Sequence, residues 1–161
     1  MVRAPVGVNV MRHRRLSWML ASAALMCAAG CERPLAGGEI SHEIAKQFEL
    51  SGRRSVDLAK AAPGPWEKVC IIGPYMDNTG VSATLGFEWD SRSKTSILTN
   101  DSISLLLFVR GNQVVEYVEH PRKHGDFSNL NTRCFAREKA LFMQDQAPAA
   151  GWPGLIPKHD A

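Results

Sequence analysis

Apolar positions recur at helical spacing from Glu39 onward. Ile40, Ile44, Ala45 and Phe48 are separated by charged residues, and Gly52 closes the run, so a helix is predicted there. Arg53-Arg54 and the Ala61-Ala62-Pro63-Gly64-Pro65 stretch read as connector, with Val56 and Leu58 as a short extended piece. Residues 66–72 read as a strand that must stop at Gly73-Pro74, because proline cannot donate to a sheet ladder. Asn78 or Thr79 can cap a short helix carrying Val81 and Leu85, with Gly86 placed to end it. Residues 94–99 suggest a modest strand and Asn100-Asp101 a turn. The run 103–109 is nearly continuous in apolar residues, which predicts a central strand covered on both faces. Gly111-Asn112 is a two-residue hairpin signal that returns residues 113–119 antiparallel beside it, and His120-Pro121 ends that strand.

Residues 126–133 are polar loop, followed by strand pieces at Cys134-Phe135 and at 141–143 around a turn. Residues 147–161 carry three prolines and two glycines and read as a disordered tail, in which Trp152 alone suggests docking. The sum predicts one small α+β domain over 39–146. It has an antiparallel sheet of four or five strands, with the N-terminal helix and one short helix on one face. A partner, a second sheet or the tail is left to cover the other face.

Ahead of this domain lies a different pattern. Arg12, His13, Arg14 and Arg15 precede residues 16–30, apolar or small throughout apart from Ser17 and Ser22, and then Cys31. Fifteen such residues fall short of the roughly 20 that span a bilayer as a helix, so the stretch reads as a signal segment. Ala28-Ala29-Gly30-Cys31 resembles the lipobox that ends a bacterial lipoprotein signal, with Ala28 where that family usually has leucine. The resemblance implies cleavage after residue 30, acylation of Cys31 and a life in the cell envelope, tied to the membrane by lipid such as palmitate. Residues 31–38, with Pro34 and Gly37-Gly38, would then be a flexible tether. Either Met1 or Met11 could start such a signal. Glu32 in second place, where aspartate tends to hold such proteins at the inner membrane, implies the periplasmic face of the outer membrane in a two-membrane cell.

Removing the leader changes the charge. Residues 1–30 hold four of the 19 basic side chains (Arg3, Arg12, Arg14 and Arg15) and none of the 16 acidic ones. Past Gly30, 15 basic residues face 16 acidic ones, leaving no basic field to attract phosphate backbones; a nucleic-acid partner has no support. The remaining 131 residues suffice for one domain with one core. With Cys27 in the leader and Cys31 acylated, Cys70 and Cys134 remain as a single pair. Beyond the cytosol they are expected to be bonded to each other; two buried free thiols is the other reading.

A second resemblance covers about residues 56–145. The segment Trp66-Glu67-Lys68-Val69-Cys70-Ile71-Ile72-Gly73-Pro74-Tyr75, followed by Leu85-Gly86 and Trp89, is similar to a W-x-x-V-x-x-x-G-P-Y motif of small bacterial lipoproteins with no assigned activity. It implies fold and location only. Physically the motif reads as architecture: Trp66 anchors the strand entry, Gly73 permits a tight bend, and Pro74 with Tyr75 directs the exit.

Candidate chemistry is sparse. His120, His124 and Asp126, beside Glu119, place two histidines at i and i+4 with a carboxylate near, a zinc-like set if helical. Pro121 and Gly125 argue against that helix, and a polar loop at the hairpin end is the simpler reading. His42 reads as a solvated helix residue beside Glu43, and His159 lies in the tail. No G-x-S-x-G elbow and no phosphate-binding glycine loop occurs, and Asp77, Glu88 and Asp90 lack calcium-loop spacing. Two functions remain in view: a non-catalytic, lipid-anchored envelope protein binding another envelope protein or component, without a cofactor, or a small envelope hydrolase or metal-binding protein using His120, His124 and Asp126.

Overall fold

The computed structural model describes Met1, residues 37–148 and residues 153–160. Residues 2–30 of the expected signal, Cys31 and the rest of the tether up to residue 36, and Trp152 lie outside the described residues. Helix α1 (Gly37–Leu50) buries Ile40, Ile44 and Phe48, one residue per turn along a single stripe. Gly52 then turns into the left-handed region at φ 67°, and the Arg53 amide closes back on the Phe48 carbonyl at 2.8 Å. Gly37 and Gly38, expected in the tether, form the first turn of this helix instead. The reason at Gly37 is contact: a Cβ there would lie 2.5 Å from the backbone oxygen of Tyr117, so only glycine lets the helix start so close to that strand.

After α1 come β1 (Ser55–Asp57), the single-turn α2 (Leu58–Ala61), β2 (Lys68–Ile72) and α3 (Asn78–Leu85). Strands β3 (Ile103–Arg110), β4 (Gln113–Pro121), β5 (Arg133–Ala136), β6 (Leu141–Gln144) and β7 (Leu155–Pro157) complete the order. They build two antiparallel sheets, β4-β3-β2-β5 and β1-β6-β7. The domain is α+β, as expected. The apolar run of β3 is interior to the four-stranded sheet, and its first seven residues are buried.

Alternation along β2 and β3 separates two cores. Val69, Ile71, Leu106 and Phe108 point to the face covered by α1, α2 and the small sheet, through Ile44, Leu58 and Phe142 among others. Cys70, Ile72, Leu105 and Leu107 point the other way, onto Val81 and Leu85 of α3 and onto Ile97, Phe87 and Trp89 of the connection behind it. The two longer helices therefore lie on opposite faces, not on one. Val81 and Leu85 of α3 meet the side of β2 that carries Cys70 and Ile72, while the α1 stripe meets the side that carries Val69 and Ile71.

Three further expectations are corrected. Residues 94–99 form turns rather than a strand, because their hydroxyls bond locally. Thr95 Oγ1 donates to the Ser91 carbonyl (2.9 Å) and Ser91 Oγ to Asn78 Oδ1 (2.7 Å), and only Ile97 is buried deeply. The cap of α3 is Asp77, whose Oδ1 accepts from the Gly80 amide at 2.8 Å, while Asn78 is spent on the loop. Residues 141–143 join β1 in the second sheet, and the presumed tail supplies its third strand: Leu155 is fully buried and its amide donates to the Asp126 carbonyl at 2.7 Å.

One buried group predicts its own dispensability. Ser104 lies on β3 with no exposure, and its hydroxyl has no hydrogen-bond partner among the described residues. Ser104→Ala is expected to be neutral or to stabilise by up to about 1 kcal/mol in urea denaturation, since it removes an unsatisfied buried group. A loss of stability would mean that the hydroxyl is bonded after all.

Candidate functional site

Cys70 and Cys134 stand directly opposite each other on β2 and β5, with Cα atoms 4.0 Å apart, and are joined by a disulfide. Cys70 faces the α3 core with no exposure, and Cys134 sits on the edge strand. The bond ties the outermost short strand to the sheet's interior, and it closes a loop of 64 residues that includes the whole β3–β4 hairpin.

The Trp66 to Tyr75 segment is architectural. Trp66 is buried, its Nε1 donates to the Ala62 carbonyl (2.6 Å), and its ring meets Phe108 edge-on at 5.1 Å. The Arg137 guanidinium covers the ring from 4.8 Å. Gly73 is set by a neighbour rather than by a special φ: Asn131 Oδ1 accepts from its amide at 2.8 Å, and a Cβ would stand 3.0 Å from Asn131 Cγ. Tyr75 follows in the left-handed region (φ 64°), held by its amide on the Ile97 carbonyl, with its ring exposed. The neighbouring Asp101 carboxylate raises the Tyr75 phenol above its ordinary pKa, first by charge and then, after desolvation, by hydrogen bonding.

His120 ends β4 beneath α1, with no exposure. Its Nε2 lies 3.2 Å from the His124 carbonyl, which can only accept, so Nε2 carries the proton. Its Nδ1 is then the acceptor for Ser41 Oγ of α1 at 3.0 Å. Phe127 packs edge-on at 5.9 Å. Burial lowers the His120 pKa to about 4. The Ser41–His120 pair has the outline of a nucleophile and its base, but the imidazole is enclosed beneath α1 and burial makes it a weaker base.

Asp126 is engaged elsewhere. Arg122 grips it through Nε (3.0 Å to Oδ1) and Nη2 (2.8 Å to Oδ2), and the Ser128 amide donates to Oδ1 at 2.9 Å. The Asp126 bond, foremost, holds the Arg122 proton more firmly than usual. No group of three histidine, cysteine or carboxylate side chains could hold a metal ion among the described residues. His120, His124 and Asp126 therefore share a loop but not a coordination point. His42 is exposed on α1 and His159 lies in the turn after β7. Asp77 is a helix cap, and Asp90 accepts from Asn78 Nδ2 (2.8 Å) as a loop staple, its pKa lowered first by Ser93 and then by Asn78.

An open cleft of about 810 Å³ lies between the end of α1 and the turn after β4, lined by Phe48, Arg53, Asp101, Arg122 and Lys123 among others. Its guanidinium groups are already committed, Arg53 to Glu49 and to the Lys123 carbonyl, Arg122 to Asp126. Of the groups that organise this end of the molecule, Arg122 and Asp126 lie four residues apart, but outside an α-helix that spacing alone does not announce their ion pair. Nor was Ser41 findable, because it meets His120 across 79 residues of chain.

Enclosure of His120 sets a pH dependence. The imidazole takes its proton near pH 6.5 when unfolded but only near pH 4 when folded, so the unfolded state binds more protons between these values. Stability is fully present above about pH 6.5 and falls as the pH drops toward 4, by about 3 kcal/mol in all. Urea titrations at several pH values check this, and the His120→Gln variant should show a flatter profile across that window. An unchanged profile in the variant would contradict it.

No protein-family model, curated protein or solved structure matches the chain.

Proposed function

We propose that this chain is a bacterial cell-envelope lipoprotein, acylated on Cys31, whose small domain binds another envelope protein or component without catalysing a reaction. The observation that carries the reading is the Ala28-Ala29-Gly30-Cys31 run behind a basic and then apolar leader. The Cys70–Cys134 disulfide supports it, since such bonds persist in oxidising compartments. Non-catalysis is favoured by how the candidate groups are spent: His120 bonds Ser41 of α1 and the His124 carbonyl, and Asp126 bonds Arg122. The second residue, Glu32, favours the outer membrane's periplasmic face in a two-membrane cell. No helix among the described residues is long and apolar enough to cross a membrane, so membrane residence on this reading rests on the lipid.

Expression in a bacterial host with radiolabelled palmitate tests the anchor. Label is expected in the membrane fraction for the native chain, and none for Cys31→Ala. Crosslinking in cells followed by purification tests the partner: the same envelope protein should be recovered repeatedly with the native chain. Repeated recovery of the chain alone would contradict the binding role while leaving the anchor standing.

A further inference from the structure

We propose that the exposed side of β4, with Val115, Tyr117 and the neighbouring Trp89, rests on the headgroup region of the bilayer that holds the chain. The proposal rests on acylation of Cys31. Five residues separate Cys31 from Gly37, so the anchored cysteine lies within about 22 Å of the start of α1 whatever path the chain takes. Gly37 in turn sits against the Tyr117 backbone oxygen, so the tether joins the domain beside β4. A tether of that reach brings the surface around β4 within range of the bilayer.

Its chemistry suits a membrane interface. Val115 and Tyr117 are each 37 % exposed, two of the few large apolar side chains left open in the domain. Tyr117 packs edge-on against Trp89 at 5.5 Å, and Trp89 is itself only partly covered by the α3 core. Tyrosine and tryptophan pair an apolar ring with a polar edge, the combination that settles at headgroup depth. A register shift between Phe108 and Val109 inserts Val115 as an extra residue in β4, with no partner opposite it on β3. Tethering supplies an effective concentration in the millimolar range, so a contact too weak to recruit the domain from solution is populated once the lipid is inserted.

Charge does not drive this contact. The recess between Gly37 and β4 is lined by Lys94 together with Glu116 and Glu119, so it has no net positive charge. Glu119 accepts from the amide and hydroxyl of Ser96, and Glu116 from the Tyr117 amide at 2.9 Å, which keeps both carboxylates occupied within the domain. With one lysine against two glutamates, docking is therefore expected to be weakened by neither salt nor neutral lipid, and not to be strengthened by anionic lipid.

The test uses the full acylated chain in phosphatidylcholine vesicles, with and without bromine on the acyl chains, in a Trp152→Phe background. Mass spectrometry first establishes that Cys31 carries acyl groups. Brominated lipid is expected to quench tryptophan emission, and Trp89→Phe to abolish most of that quenching, since Trp66 is buried in the core. Val115→Ser with Tyr117→Ser should lower the docked-to-undocked ratio about fivefold while the far-ultraviolet spectrum and the disulfide stay unchanged. An acylated chain whose Trp89 is not quenched, quenching that collapses in salt, or crosslinking of two copies through this face would each overturn the docking and leave the anchor intact. A chain without acyl groups would overturn both.

Discussion

Replacing Cys70 and Cys134 together by alanine is expected to destabilise the domain by about 4 kcal/mol. The bond closes a loop of 64 residues, and a cross-link of that span removes loop-closure entropy from the unfolded chain. The effect thus acts mainly through the unfolded state, and it has a second signature. Without the cross-link the unfolded chain expands further, so the dependence of stability on denaturant should steepen as its midpoint falls. Cys70 is fully buried, and the cavity left by its missing sulfur adds to the loss. Urea unfolding of the native chain, the double variant and the reduced native chain measures each contribution. A change below about 1 kcal/mol, with an unaltered slope, would show that the bond constrains little. Against a total of 5–15 kcal/mol typical of such domains, 4 kcal/mol decides whether the fold survives mild stress.

Phe142→Ala is expected to cost a similar amount, about 4 kcal/mol, by a different route. Phe142 is fully buried on β6, and its ring meets Phe135 edge-on at 5.1 Å and Phe127 at 5.5 Å. Phe135 belongs to the four-stranded sheet and Phe127 lies under His120, so one side chain joins the small sheet to the large one and to the hairpin end. Truncation removes the transfer free energy of the ring and leaves a hole that three elements border. Phe142→Leu keeps most of the volume and should cost less than half as much. If Phe142→Ala lost only about 1 kcal/mol, the small sheet could not be packed on the main core in the manner described.

The elements that sequence patterning captured are those whose signal is local. Ile40, Ile44 and Phe48 mark α1 by their spacing alone, and the continuous run of β3 with Gly111-Asn112 behind it marks the central hairpin. The disulfide followed from counting cysteines once Cys27 was assigned to the expected leader and Cys31 to the expected lipid. What escaped depends on distant contacts. Residues 155–157 are three positions in a proline-rich stretch, and only pairing with β6 makes them a strand. Gly37 reads as linker until the Tyr117 carbonyl shows why a side chain is forbidden there. The opposite placement of α1 and α3 is likewise a matter of which side of β2 each apolar set meets.

The site followed the same division. His120, His124 and Asp126 are near one another in the chain, and that proximity suggested a shared ligand. Hydrogen bonding divides them: His120 goes to Ser41 and the His124 carbonyl, Asp126 to Arg122. Titratable residues close in sequence can serve separate structural tasks, and only the direction of each side chain separates the two cases.

Everything proposed about location turns on the N-terminus that the cell leaves on the protein. Mass spectrometry of the N-terminal peptide, taken from protein purified out of bacterial envelopes, reads it directly. The expected peptide begins at Cys31 and carries the added mass of a diacylglycerol and an amide-linked acyl chain. A peptide that retains residues before Cys31, or a Cys31 without lipid, would contradict the lipoprotein reading.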